Sequence, residues 1–372
     1  MLDGMYAALT DRIGYRKLIF VPPIVAVILL AFVLANGLEY GIDFKGGTWM
    51  DVLTEKNIDS GDLSQLESDL QAAGFSDVKA HVGFDVDTGL NKLTVQTTTV
   101  IDDKEAVEGI ISSYVGELTE YDTASAPVAE KPPVELEEKL VKRLKHGVDL
   151  DYAEGTLTVV GLDLSKEDLD SALTYYLQQD IDVDLTKKNF NLRSVGPTLG
   201  KTFREQGFKA LGVALLLMGV VVFLAFKDLI PSIAVIQAAV CDVLIAVGGM
   251  SLLGIPMEPA SLAALLMLIG YSVDTDIMLT ARTLKDRSVG IVDRMDDAMK
   301  TGLTMTGTTL SVMVIVYIIS NTLTQITTLS SIAAVLIIGL LADISTTWFT
   351  NAGILRWYLE VPGRKVRLFR RR

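Results

Sequence analysis

The chain has 372 residues, half of them hydrophobic, a mean hydropathy of +0.40 and a formal net charge of −13. That hydropathy is out of place in a water-soluble globular protein, and the acidic balance disfavours nucleic acid as a partner. Cys241 is the only cysteine, so an internal disulfide and a cysteine-based zinc site are both excluded.

Arg12, Arg16 and Lys17 precede a first apolar run at 18–36, close to the roughly 20 residues that cross a bilayer. A cleaved signal peptide is the rival reading. The run is long for a signal core, however, and Val33-Leu34-Ala35 is a poor cleavage site. No such run occurs in 38–205, which hold 33 acidic and 16 basic residues, a net −17; the rest of the chain, with 13 and 17, is +4. Within this segment β-branched and apolar residues predict strands at 47–53 and 92–99, and helical spacing predicts helices at 64–73 and 104–115. Ser60 is the expected cap of the first helix, with Asp62 in its opening turn. The turn-rich stretch 121–133 (YDTASAPVAEKPP) reads as a linker. A helix at 134–145, a strand at 156–161, a helix at 166–177 and one or two strands in 181–195 follow. The order predicts an α+β sandwich, its helices on one face of a small, mostly antiparallel sheet. No catalytic set is visible there, and His81 and His146 read as surface residues without partners. GPTLGKT at 196–202 has three residues between its glycines where a phosphate-binding loop needs four, and an apolar helix follows it.

Five further apolar runs lie at 208–226, 229–250, 259–280, 303–319 and 326–341, the last continuing to about 357. Lys227 sits between the second and third, and Arg282, Lys285, Arg287, Arg294 and Lys300 occupy the link 281–302. The tail 358–372 ends in a basic cluster, while the two other short links carry no Lys or Arg. Six crossings put every basic segment on one side. Both termini are therefore expected in the cytoplasm and 38–205 outside it.

Ionisable groups at bilayer depth are costly and point to function. Asp242 lies near the middle of the third run; Asp274 and Asp276 follow Gly270-Tyr271-Ser272 on the fourth; Asp343 lies inside the sixth. Asp274 and Asp276 project about 200° apart around a helix, so at most one shares a space with Asp242. Carboxyls that change protonation with conformation would make a proton relay; interhelical hydrogen bonds that only fix packing are the alternative, and they are the favoured reading of Asp276 and Asp343 from the residues alone. The threonines and serine at 301–311 would line a wet path or serve close packing with Gly302 and Gly307. No metal-ligand set, cofactor motif or nucleophile–base pair is present, so no enzymatic activity is expected.

Four spaced motifs resemble those of the SecF protein-export family in the RND superfamily. They are GIDFKGGT after the first run (Gly41, Asp43, Phe44, Gly46, Gly47), VGPTLG before the second (Gly196, Pro197, Gly200), Gly270-Tyr271-Ser272 leading to Arg282, and Cys241-Asp242-Val243 in place of a family His-Asp-Val. The resemblance implies a six-helix bundle forming half of an RND-type transporter, with an inserted extracytoplasmic domain. It implies a SecD-like partner subunit, the Sec translocon and unfolded secretory polypeptides as associates, and a transmembrane ion gradient, of protons, as the driving force. The family's proton-pathway aspartate maps onto Asp242 and its fourth-helix arginine onto Arg282. Three departures stand out: Cys241 replaces the histidine, Asp274-Thr275-Asp276 replaces Asn-Asp, and Ala281 replaces an aspartate before the arginine. The long acidic domain points to an archaeal source. An RND-type exporter of small molecules or lipids, and a scaffold subunit whose acids are structural, are the competing readings.

Overall fold

The computed structural model describes residues 4–85, 88–101, 104–128, 131–133, 135–145, 147–153, 155–161, 164–179, 181–285, 289–322 and 327–360. His146, Arg287 and the basic tail after 360 lie outside the described residues. The elements, in chain order, are helices α1 (Met5–Ile13), α2 (Tyr15–Leu18), α3 (Val21–Asn36) and α4 (Ile42–Lys45); β1 (Gly47–Thr54), α5 (Ser60–Ala72), β2 (Lys79–Phe84), β3 (Asn91–Thr97) and α6 (Glu105–Val115). Then come β4 (Asp122–Pro127), α7 (Leu136–Leu144), β5 (Val148–Ala153), β6 (Thr156–Gly161), α8 (Lys166–Leu177), β7 (Asp184–Thr186) and β8 (Phe190–Val195). The chain closes with α9 (Pro197–Phe226), α10 (Leu229–Leu253), α11 (Pro259–Lys285), α12 (Ile291–Thr322), α13 (Thr327–Ser345), a π-helical turn (Thr346–Asn351) and α14 (Ala352–Glu360). Two units divide it: Gly47–Ser194, and the chain on either side of that segment.

The inserted unit holds two four-stranded sheets rather than one. Their strand orders are β2-β3-β1-β8 and β5-β6-β4-β7, and β1–β3, β2–β3, β4–β6, β4–β7 and β5–β6 pair antiparallel. Each sheet belongs to a β-α-β-β-α-β module of the same strand order, and the second module is threaded into the first between α6 and β8. Met50, Val52, Leu93 and Val95 pack with Leu66 and Leu70 of α5 and Val107 and Ile111 of α6. Ala124, Ala126, Leu157 and Val159 pack with Leu140 of α7 and Leu169 and Leu173 of α8. Entry and exit of the second module meet where Thr119 N donates to Asn189 Oδ1 at 2.7 Å and Asn189 N donates to Thr119 O at 3.0 Å. This second module accounts for much of the length of the domain.

The stretch read as a linker contains β4, which lies between β6 and β7. Its strand pattern is carried by small residues: Asp122, Ala124 and Ala126 face inward, alternating with Thr123 and Ser125. Turn-forming composition concealed a period of two. The cap of α5 is Asp59 instead of Ser60: Asp59 Oδ1 accepts from the Gly61 and Asp62 amides at 2.8 Å, and Asp62 returns the bond to the Asp59 amide. His81 is half-buried on β2, and burial lowers its pKa.

Among its described residues the other unit contains six helical segments long and apolar enough to span a bilayer: Tyr15–Asn36, Pro197–Phe226, Leu229–Leu253, Pro259–Leu284, Ile291–Thr322 and Thr328–Glu360. They extend beyond the apolar runs because helical hydrogen bonding continues through polar ends that hydropathy does not register. α10 and α11 are the most enclosed, and α10 packs against α3, α9, α11 and α13. Gly302 lets the ring of Trp348 approach so closely that a Cβ there would lie 2.6 Å from it.

Candidate functional site

Three helices bring three carboxyls into the centre of this bundle. Asp242 on α10, Asp276 on α11 and Asp343 on α13 are each 1% exposed or less. Their bonded partners are hydroxyls and one amide. Ser272 Oγ on α11 donates to Asp242 Oδ2 at 2.5 Å, and Thr346 Oγ1 donates to Asp242 Oδ1 at 2.5 Å. Thr347 Oγ1 contacts Asp276 Oδ1 at 2.8 Å and Asp343 Oδ1 at 3.0 Å, linking those two aspartates. Asn351 Nδ2 donates to Asp276 Oδ1 at 2.8 Å. Asp276 Oδ2 and Asn351 Oδ1 are buried with no hydrogen-bond partner among the described residues.

The π-helical turn makes this arrangement possible. Threonines 346 and 347 are consecutive, about 100° apart on a regular helix, yet one serves Asp242 while the other serves Asp276 and Asp343. A π turn inserts an extra residue, and such turns recur at functional sites. Here it also places Asn351 under Asp276. Burying charged carboxyls costs several kcal/mol each unless protons or partners compensate, so protonation and helix packing are physically linked here.

The other expected residues are placed apart from this cluster. Asp274 is on the exposed side of α11, opposite Asp276, as their two-residue spacing demands. Arg282 turns to α12, where Nη1 contacts Asp297 Oδ2 at 3.0 Å and Thr301 Oγ1 at 2.9 Å. Cys241 is a free, buried thiol next to Asp242 in sequence. Of the polar run on α12, Thr304 and Ser311 are exposed and bond back to their own helix through Lys300 O and Gly307 O at 2.8 Å, whereas Thr306 is buried. Sequence reasoning passed over Thr346, Thr347 and Asn351, although a T-T-x-x-T-N pattern in an otherwise apolar helix was a usable signal.

The glycine-rich motifs build a joint at one end of the bundle. Gly200 packs so tightly on α4 that a Cβ would lie 2.9 Å from Gly46 N, and Gly46 has φ +85°, a conformation favouring glycine. Tyr40 pairs with Met257: Gly41 N donates to Met257 O at 3.0 Å, and Met257 N to Glu39 O at 2.7 Å. The Glu258 side chain lies across Gly41, where a Cβ would come within 2.4 Å of its Cγ. Burial, reinforced by the charge of Asp43, raises the Glu258 carboxyl to about 7. Gly270, Tyr271 and Gly196, by contrast, sit on exposed surface.

A family model described as protein export membrane protein SecD/SecF, C-terminal, matches residues 177–361. The protein-export membrane protein SecF of Methanothermobacter thermautotrophicus is 37% identical over 356 residues, 95% of this chain and 96% of that one. The SecF of Methanocaldococcus jannaschii is 44% identical over 217 residues, 53% of this chain and 77% of that one. In fold, the chain is similar to the crystal structure of SecDF, a translocon-associated membrane protein from Thermus thermophilus. The TM-score is 0.52 at 19% identity, over 95% of this chain and 41% of that longer one. The likeness in sequence runs almost end to end, and the chain belongs to the SecF family of protein-export membrane proteins.

Proposed function

We propose that this chain is an accessory subunit of the Sec export machinery that, with a SecD-like partner, uses the proton gradient to promote polypeptide translocation across the cell membrane. The observation that carries the reading is the Asp242–Asp276–Asp343 cluster: three carboxyls from three helices, buried in a membrane bundle and bonded to groups that can give and accept protons. Loss or gain of a proton changes what Thr346, Thr347 and Asn351 can bond to, and so biases the packing of the π-helical turn. Asp274 and Arg282 lie on the outward side of α11 and α12, available to groups on a second bundle.

The basic links support a reading with both termini in the cytoplasm and the acidic domain outside, where it would meet emerging polypeptide. A cysteine replacing Ser64, exposed on α5, is expected to react with an impermeant thiol reagent in intact cells, and one replacing Val289 only after lysis. The function itself is tested with Asp242→Asn and Asp276→Asn in membrane vesicles. Both variants are expected to assemble with the partner and to lose gradient-dependent translocation. Translocation at the wild-type rate by both would leave the cluster a packing device and favour the scaffold reading.

A further inference from the structure

Below Asp276, toward the Leu284 end of its span, the same face of α11 carries Thr280 and Thr283. Spacings of four and three residues keep all three within a stripe about 60° wide and about 10 Å long. All are fully buried, and Asp276 Oδ2, Thr280 Oγ1 and Thr283 Oγ1 have no hydrogen-bond partner among the described residues. Tyr6 packs in a cluster with Leu279, Met295 and Trp348, its buried hydroxyl close to the Arg356 guanidinium.

A buried helical threonine has an easy local solution, which is to donate to its own backbone three or four residues back. Hydroxyls on α11 and α12 take it: Thr275 bonds to Tyr271 O at 3.4 Å, Thr309 to Met305 O at 3.2 Å and Thr322 to Ile318 O at 2.7 Å. Thr280 and Thr283 turn their hydroxyls away from that option. Buried polar groups in native proteins are nearly always paired, with protein or with ordered water. A continuous row of orphans beginning at a carboxyl and ending at the rim of a membrane span is therefore a row of sites for water.

We propose that Thr280 and Thr283 form the leg of the proton route that joins the Asp276 carboxyl to the aqueous side at the Leu284 end of α11, through a single file of hydroxyls and water. This rests on the proton-coupled function proposed above. The Asp276 proton passes to the first water, and each water or hydroxyl accepts one proton on a lone pair and releases its own to the next. The file returns to its starting composition, and one proton emerges for each one that left Asp276. Tyr6 stands at the same end, where burial pushes its phenol up to about 12, so it stays an intact hydroxyl at physiological pH.

The test uses the full chain in membrane vesicles from cells that hold no other copy, with proton uptake followed by a pH-sensitive dye. Thr280→Val and Thr283→Val preserve shape and remove the hydroxyl; each is expected to slow uptake roughly tenfold, the loss of about one hydrogen bond from the conducting path. Thr280→Ser and Thr283→Ser are expected to restore it, and Thr304→Val to leave it unchanged. The melting temperature of the valine variants should not rise, since they exchange a hydrated hydroxyl for a methyl group. Valine variants that conduct normally and melt higher, while Asp276→Asn is inactive, would show a dry stripe and place the leg elsewhere. Serine variants as slow as the valine ones would reduce both residues to packing. Normal uptake in Asp276→Asn would overturn the proton-coupled function itself, and this leg with it.

Discussion

Two buried aspartates, one in each unit, illustrate what a carboxyl can be built to do. Asp122, at the start of β4, is 1% exposed and fully engaged. Its oxygens accept from Lys188 N at 2.7 Å, Leu164 N at 2.8 Å and Lys187 Nζ at 3.1 Å. Burial works against its charge, but the two amides and the ammonium outweigh it and hold the carboxyl below the usual range. Asp276 is equally buried, meets a hydroxyl and a side-chain amide, and keeps one oxygen unpaired. The first is a peg that joins β4, the loop before α8 and the loop after β7. The second keeps unused bonding capacity beside the π-helical turn. Burial alone does not distinguish these two acids; saturation by N–H donors does.

The sharpest way to break this comparison is to neutralise both acids. Asp276→Asn is expected to reduce gradient-driven translocation to background, with assembly and melting temperature kept, because an amide NH₂ can pair with Asn351 Oδ1. Asp122→Asn should do the reverse. It replaces a charged acceptor of three bonds, so the inserted unit should lose about 2–4 kcal/mol by denaturant unfolding, while proton uptake by the bundle is unchanged. A wild-type unfolding midpoint for this variant would remove the peg assignment.

Acidification sharpens the same contrast. Asp122 has a lowered folded-state pKa, so its contribution is complete above the unfolded value of 3.8 and is lost as pH falls through the folded value. The inserted unit should therefore soften only in strong acid, and Asp122→Asn should flatten that acid limb of the stability curve.

Arg282→Lys is expected to have a smaller effect, read in two ways. The Arg282–Asp297 pair is largely exposed, at 41% and 71%, and such pairs contribute at most about 1 kcal/mol, so the melting temperature should barely move. Lysine lacks the planar fork that a second subunit's carboxyl would grip, so translocation in the assembled complex should fall several-fold. Unchanged translocation would return this arginine to a snorkelling anchor.

The smallest effect is expected at Glu258, which titrates near neutrality. A raised carboxyl pKa means that its contact with Gly41 is fully supported below 4.5 and weakens as pH rises through about 7. Hydrogen exchange at the Gly41 and Met257 amides, corrected for intrinsic rate, should quicken across that window in the wild type. Glu258→Gln should make it pH-independent, and a pH-dependent rate persisting in that variant would dissociate the joint from this carboxyl.

Hydropathy and charge by themselves determined that this chain has six spanning segments and a large acidic insert, since a bilayer accepts only long apolar helices and each segment declares itself locally. Helical geometry likewise required Asp274 and Asp276 to face opposite ways. Which of them entered the core was a tertiary matter, decided by α10 and α13 packing on one side of α11. The same holds for Thr346, Thr347 and Asn351: the sequence displays their polarity, but only the π turn brings them to three carboxyls. In the inserted unit, β4 was hidden because alanine and serine carry little strand signal, and the sheet that needs such small residues exists only once β6 and β7 flank them. Local chemistry is written residue by residue, whereas a site assembled from α10, α11 and α13 depends on distances between segments up to about a hundred residues apart, as in the 104-residue separation of Asp242 and Thr346.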